Sequence, residues 1–274
     1  MNFNNLQEGA FGLLAETADI LNRNKINYII VGGWSPLLLN NNPIVHPGTK
    51  DVDILFENGY RKKELGKIIL KFIDSGFLLS AKHDFQLFKE IEVHGKKFIY
   101  NIDLLHPTET QKPEEIYIDH IDLGIPSDKY QSNTFKMKSI ALPSSQALFD
   151  NKLSIEHKII VDNKEVSVIL MNEIGTLLTK SQSLKIPKRF RDSLDIYLAI
   201  TQNSNKEFYS ELKKLKNKNP DSFNTVYGIK EFYDQGDNMY VNTLKYIPNL
   251  EMKVFKKEMG LFFEKSGLNK KAKH

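Results

Sequence analysis

The stretch Tyr28–Leu55, YIIVGGWSPLLLNNNPIVHPGTKDVDIL, decides how the rest of the chain is read. An apolar run, Tyr28 to Val31, breaks at Gly32-Gly33. A helix-compatible segment, Trp34–Leu39, follows, and a polar loop then leads to Asp51-Val52-Asp53-Ile54-Leu55. Side chains alternate along a strand, so Asp51 and Asp53 share one face while Val52 and Ile54 take the other. Two carboxylates about 7 Å apart on one strand face, beside a glycine turn that opens a helix, make a candidate site for a divalent metal and a triphosphate. Gly32 and Gly33 would let backbone amides approach the phosphates. Ser35, predicted as the N-cap with Pro36 at the first helical position, would add a hydroxyl donor.

Working outward, residues 5–24 carry Leu6, Phe11, Leu14, Ala18 and Leu21 at helical spacing, and Ile26–Val31 reads as a buried strand. Beyond the Asp51–Phe56 strand, Arg61–Ser75 is an amphipathic helix with Leu65, Ile68, Ile69 and Phe72 on one face. Strands follow at Phe77–Ala81, Phe85–Val93 and Lys97–Leu105, the last two joined by a hairpin turn at His94-Gly95-Lys96. Residues 106–125 read as an irregular excursion, Lys136–Leu142 as a strand and Ser144–Phe149 as a short helix. His157–Val161 and Glu165–Leu170 flank a second hairpin signal, Asp162-Asn163-Lys164. From Asn172 the period is helical: Glu173–Ser183, Phe190–Thr201, Lys206–Leu215, Ser222–Tyr233 and Met252–Lys265.

The bulk composition is that of an ordinary soluble globular protein: 274 residues, 41% hydrophobic, 26% charged, net charge +4. With no cysteine, disulfides, thiolate catalysis and Cys-ligated zinc are excluded. The histidines show no HxH or HxxxH spacing for zinc, although His46, in the loop before the acids, could touch phosphate. No apolar run reaches the roughly 20 residues that span a bilayer, and the N-terminus lacks signal-peptide features. A cytoplasmic protein without a membrane partner is the expectation. Lysines crowd Lys180–Lys218 and the region from Lys253 onward, compatible with a polyanionic partner.

A third carboxylate stands in Tyr100-Asn101-Ile102-Asp103-Leu104-Leu105, set between apolar neighbours as Asp53 is. Phosphoryl transfer with metals needs hard oxygen ligands converging from rigid elements. Asp51, Asp53 and Asp103 on neighbouring strands would meet that need.

The order of strand, Gly-Gly, short helix, DxD and later lone Asp resembles the nucleotidyltransferase superfamily, the polymerase-β-like fold. The VGGW start and the His-containing loop are similar to lincosamide- and aminoglycoside-type nucleotidyltransferases. Residues 173–198, EIGTLLTKSQSLKIPKRFRDSLDIYL, resemble the downstream motif of AbiEii-type toxins, with Lys180, Arg191-Asp192 and Asp195 at the matching positions. Independently of the resemblance, Arg191 and Asp195 are four apart and could pair on a helix, as could Lys188 and Asp192 if the helix begins early enough.

The resemblance implies an α+β fold: a nucleotidyltransferase-like mixed sheet with flanking helices over residues 1–150, then a mostly helical region over 151–274 that completes the site. It implies Mg²⁺ or Mn²⁺ on Asp51, Asp53 and Asp103. The NTP substrate would meet Gly32, Gly33, Ser35, Lys180 and Asp192, with Lys180 on phosphate. The implied reaction moves NMP from NTP to a hydroxyl of RNA, tRNA or protein, with a cognate antitoxin as partner. A small-molecule acceptor such as an antibiotic, or an inactive nucleotide-binding member of the fold, are the alternatives.

Overall fold

Two glycine- and asparagine-containing turns set the strand pairing. His94 and Gly95 have φ of 51° and 71°, and Asp162 and Asn163 have φ of 48° and 60°. Positive φ at both central residues is the type I′ geometry that matches the twist of a hairpin. The computed structural model describes residues 3–41, 44, 46–58, 60, 62–108, 117–122, 134–202 and 206–269. The chain divides into two compact units that interleave in sequence. One comprises Met1–Gly32, Thr49–Gln146 and Ile155–Leu170; the other comprises Gly33–Gly48, Ala147–Ser154 and Met171–His274.

The first unit is a mixed sheet with helices. Helix α1 (Leu6–Arg23) is capped by Asn5, whose side chain accepts from the Glu8 amide. Strand β1 (Tyr28–Val31) is wholly buried, and β2 (Val52–Phe56) buries Val52 and Ile54–Phe56 while leaving Asp53 half-buried. Asp51 precedes that strand rather than lying in it. Helix α3 (Lys62–Asp74), strands β3 (Leu78–Leu79), β4 (Gln86–Val93) and β5 (Lys96–Thr108), a separate pair β6 (Tyr117–Asp122) and β7 (Thr134–Lys138), and β8 (Ile140–Pro143) follow. The hairpin β9 (Ser154–Val161) and β10 (Lys164–Met171) completes the sheet, whose order is β3-β4-β5-β2-β1-β10-β9, with β8 also on β5. β1 runs antiparallel to β2 and parallel to β10, and β2 runs parallel to β5.

Several expectations are revised here. The strand expected over Phe77–Ala81 is only Leu78–Leu79. The one expected over Lys136–Leu142 is two strands in different sheets, broken at Ser139. The excursion over 106–125 contains β6, while 109–116 and 123–125 lie outside the described residues.

The second unit is helical. It holds α2 (Trp34–Leu38), the end of α4 (Gln146–Asp150), α5 (Glu173–Ser183), α6 (Arg191–Gln202), α7 (Lys206–Lys218), α8 (Pro220–Asp234), α9 (Asn238–Leu244) and α10 (Met252–Ser266). Trp34 is fully buried, and α2 packs on α5 and α6. Tyr197 stacks on Phe255, whose ring also meets Tyr233 and Tyr240. The N-cap of α2 is Gly33, not Ser35, so Trp34, Ser35 and Pro36 form its first turn; Pro there forfeits only an amide the helix could not use. No helix among the described residues is long and apolar enough to cross a membrane.

The observed division differs from a cut at 150/151 in three places, the smallest being Ala147–Asp150, which joins the helices. The hairpin β9–β10 returns to the sheet because β10 pairs parallel with β1, and residues 33–48 join the helices, where Trp34 finds its core.

Candidate active site

In the first unit, strand register lines four residues into one row across four strands. Val31 pairs with Asp53, Asp53 with Asp103, and Asp103 with Gln86. Adjacent strands lie about 4.8 Å apart, so Asp53 and Asp103 are direct neighbours on one face. Asp51, two residues before Asp53, is exposed. The Gln86 Nε2 donates to Asp103 Oδ1 at 2.8 Å.

Burial raises the pKa of Asp103, and the negative charge of Asp51 raises it further; the Gln86 hydrogen bond and His83 pull the other way without prevailing. An acid whose pKa is raised by folding is disfavoured in its charged form. Its stabilising protonated state is fully present below the ordinary carboxylate pKa and is lost as pH rises through the raised value. Asp103→Asn in the metal-free protein is therefore expected to melt higher than the wild type at neutral pH. Melting curves from about pH 4 to about pH 8 should show the gap opening as pH rises; a variant that melts lower throughout would contradict this.

Gly32 closes the other end of the row. Its φ is +79°, and a Cβ built there would stand 2.1 Å from Asp53 Oδ2. The Asp53 carboxylate thus lies directly over the Gly32 Cα, a space no other residue leaves open. Gly33 is different: its φ of −83° is open to any residue. Ser35 is fully buried, and its Oγ has no hydrogen-bond partner among the described residues.

Do these residues suit a divalent cation? The donors are carboxylate oxygens on adjacent strands, the hard ligands that Mg²⁺ and Mn²⁺ take. The pKa of Asp103 is raised chiefly by burial, with the charge of Asp51 adding to it. Among the described residues, however, no three Asp, Glu or His side chains gather into a group that could hold an ion as they stand. The set fits a hard divalent cation in the kind of donor and in the register of Asp53 with Asp103.

Lys180, Asp192 and Asp195 meet in the second unit. The Lys180 Nζ donates to Asp192 Oδ1 at 2.8 Å and lies 2.8 Å from Asp195 Oδ2, the latter a close ion pair outside hydrogen-bond geometry. Ser183 Oγ donates to Asp192 Oδ2 at 2.6 Å. His46 Nε2 stands 3.1 Å from Asp195 Oδ1, while the Gly48 amide donates to His46 Nδ1 at 3.1 Å. Since Nδ1 accepts, the ring is held as its Nε2–H tautomer and donates to Asp195. Arg191 lies 4.0 Å from Asp195 and donates to the Gly48 carbonyl at 3.1 Å.

Burial alone would push Asp195 up and Lys180 down. The mutual attraction of the two, with Asp192 and His46, outweighs it, so Asp195 is lowered and Lys180 raised. Lys180, expected on nucleotide phosphate, is thus placed inside this network with its side chain 7% exposed. Helix α6 begins at Arg191, too late for Lys188 to share it with Asp192. Sequence reasoning missed the partnership of His46 with Asp195, which spans 149 positions and leaves no local pattern.

No protein-family model matches the chain, and no curated protein matches it. Among solved structures it is similar to an antigenic nucleotidyltransferase-like protein from Paracoccidioides brasiliensis. The identity is 16%, the match covers 80% of this chain and 93% of that one, and the TM-score is 0.37. A likeness of that degree does not bear on chemistry.

Proposed function

We propose that the chain is a divalent-metal-dependent nucleotidyltransferase that moves NMP from an NTP to a hydroxyl group and releases pyrophosphate. The observation that carries this reading is the pair Asp53 and Asp103 beside Gly32: one carboxylate seated on a glycine Cα, and a second in register on the next parallel strand. Asp51, Asp53 and Asp103 would hold the metal, which when bound neutralises phosphate charge and sharpens the attacking hydroxyl. Half-buried acids this close are costly without a cation, and that cost supports a metal role over a solvated sheet face.

The chain's own residues supply position. Gly32, lacking a side chain, leaves the end of β1 open to a triphosphate beside Asp53. Gln86 fixes the rotamer of Asp103 through its amide hydrogen bond. In this reading Lys180 and Asp192 act as an internal ion pair. The resemblance to AbiEii-type toxins supports RNA or protein as acceptor and a cognate antitoxin as partner.

Mg²⁺ with NTP is expected to raise the melting temperature of the wild type by several degrees. Ligand about a hundredfold above its Kd stabilises by about 2.7 kcal/mol, and each kcal/mol moves a domain of this size by about 2–4 °C. Differential scanning fluorimetry with each NTP in turn checks this. No shift with any NTP and metal would sink the reading.

A further inference from the structure

Beyond the row of acids, the same sheet face continues across β5, β4 and β3, where among the described residues it keeps large apolar side chains exposed. Gln86, Phe88, Asn101 and Asp103 share that face, since Gln86 pairs with Asp103 and Phe88 with Asn101. Leu78, in register with Phe88, is 53% exposed, and Ile99 is 64% exposed. Here lies a cavity of about 370 Å³, lined by Ser80, Lys82, His83, Gln86, Phe88, Ile99 and Asn101. Its wall is a tied turn: the Ser80 amide donates to the Gln86 carbonyl at 3.1 Å, and the Gln86 amide to the His83 carbonyl at 3.2 Å. The His83 amide donates to Ser80 Oγ at 3.1 Å, and its ring leans on Phe85 with centroids 5.2 Å apart.

The cavity offers an aromatic and aliphatic floor in Phe88 and Ile99, and an imidazole wall in His83. Side-chain amides come from Gln86 and Asn101, and an exposed cation from Lys82 at the rim. A flat apolar surface with hydrogen-bonding amides and one cation is the chemistry that takes a nucleobase and its phosphate. The volume lies in the range of small-ligand pockets. Its position selects which nucleotide. Reading across the sheet, the order is Val31 with Gly32 just beyond it, then Asp53, Asp103, Gln86 and the cavity. The acids therefore stand between the glycine end, where the proposed triphosphate enters, and this cavity. Gln86 belongs to both, lining the cavity while its amide holds Asp103.

We propose that this cavity binds the 3′-terminal nucleoside of a single-stranded RNA acceptor, with the base stacked on Phe88 and its hydroxyl presented to Asp103. The proposal rests on the nucleotidyltransferase reading. It would make RNA the acceptor class and Phe88, Asn101 and Lys82 its specificity residues.

The test uses the full chain and short homopolymeric single-stranded RNAs carrying a 5′ fluorophore and a free 3′-hydroxyl, read by fluorescence anisotropy. Base–aromatic stacking is worth about 1–3 kcal/mol, so Phe88→Ala is expected to weaken binding about tenfold or more, with Phe88→Trp restoring it. Asn101→Ala, and Lys82→Ala on the exposed turn, are expected to weaken it severalfold, and they keep the test open should Phe88→Ala fail to fold. The shift in melting temperature with Mg²⁺ and NTP should be unchanged in all of these variants. Loss of RNA affinity with that shift intact supports the subsite. RNA affinity within twofold of wild type in folded Phe88→Ala, Asn101→Ala and Lys82→Ala, or no RNA binding by the wild type, overturns it. RNA bound through Phe88 without any nucleotide transfer would uphold the subsite and overturn the enzymatic reading. Transfer to a small molecule, unaltered by Phe88→Ala, would do the reverse.

Discussion

Asp53→Asn is expected to slow nucleotidyl transfer by about a thousandfold or more, because a bound metal contributes several kcal/mol to phosphoryl-transfer transition states and Asp53 is the central ligand of the proposed metal site. The same variant should lose the thermal stabilisation by Mg²⁺ and NTP while melting no lower than the wild type without metal, since the amide keeps the shape of the carboxylate over Gly32 and removes a charge beside Asp103. Gly32→Ala complements it. Its methyl group would stand 2.1 Å from Asp53 Oδ2, and φ would remain at +79°. The left-handed conformation alone costs about 1–2 kcal/mol in a residue with a Cβ, and the carboxylate must move as well. A displaced ligand of about 1 Å can cost about a hundredfold in rate. Gly32→Ala should therefore lose both stability and activity, whereas Gly33→Ala, at an ordinary φ, should lose little stability. Assays of initial rate and melting temperature on the three variants separate the roles. Equal stability losses in Gly32→Ala and Gly33→Ala would contradict the seating of Asp53 on Gly32.

Lys180→Met is expected to destabilise the second unit by about 3–5 kcal/mol, the range seen when one partner of a buried ion pair is removed. Asp192 is 2% exposed and Asp195 is fully buried, so both would be left with uncompensated charge. A chemical-denaturation series on Lys180→Met, Asp195→Asn and the double variant measures the coupling. The double variant should recover part of the loss. The pH behaviour follows from the shifts. Asp195 is lowered, so its contribution is present above the ordinary carboxylate pKa and persists until pH falls through a value below it. Lys180 is raised, so its contribution is present below the ordinary lysine pKa and is lost only as pH rises beyond it. The network should thus hold across the whole neutral range. A cost below about 1 kcal/mol, the value of a solvated pair, would contradict a buried one.

Much of this was legible locally. Helix α5 was read to its observed ends, because Asn172 caps it and its apolar period is clear. Both type I′ turns announced themselves in His94-Gly95 and Asp162-Asn163. The alternation of Val52, Asp53 and Ile54 fixed which way Asp53 faces before its neighbours were known. What stayed hidden depends on partners far along the chain. Parallel pairing of β1 with β10 joins residues about 140 positions apart (Ile30 with Leu170), and nothing in either strand specifies the other. Helix α9, only seven residues long with no side-chain cap, carries too little pattern to be read. The cavity at Phe88 needs three strands in register before it exists at all.

The central claim is that the row of acids transfers a nucleotidyl group, and the most direct measurement uses two labels on the same NTP. Wild type and Asp53→Asn are incubated with Mg²⁺ or Mn²⁺, short single-stranded RNA, and NTP labelled at either the α- or the γ-phosphorus. The expected result is metal-dependent transfer of the α-label to the acceptor, release of the γ-label as pyrophosphate, and loss of both in Asp53→Asn. Transfer of the α-label at equal rates by wild type and Asp53→Asn, or release of the γ-label as free phosphate, would contradict the account.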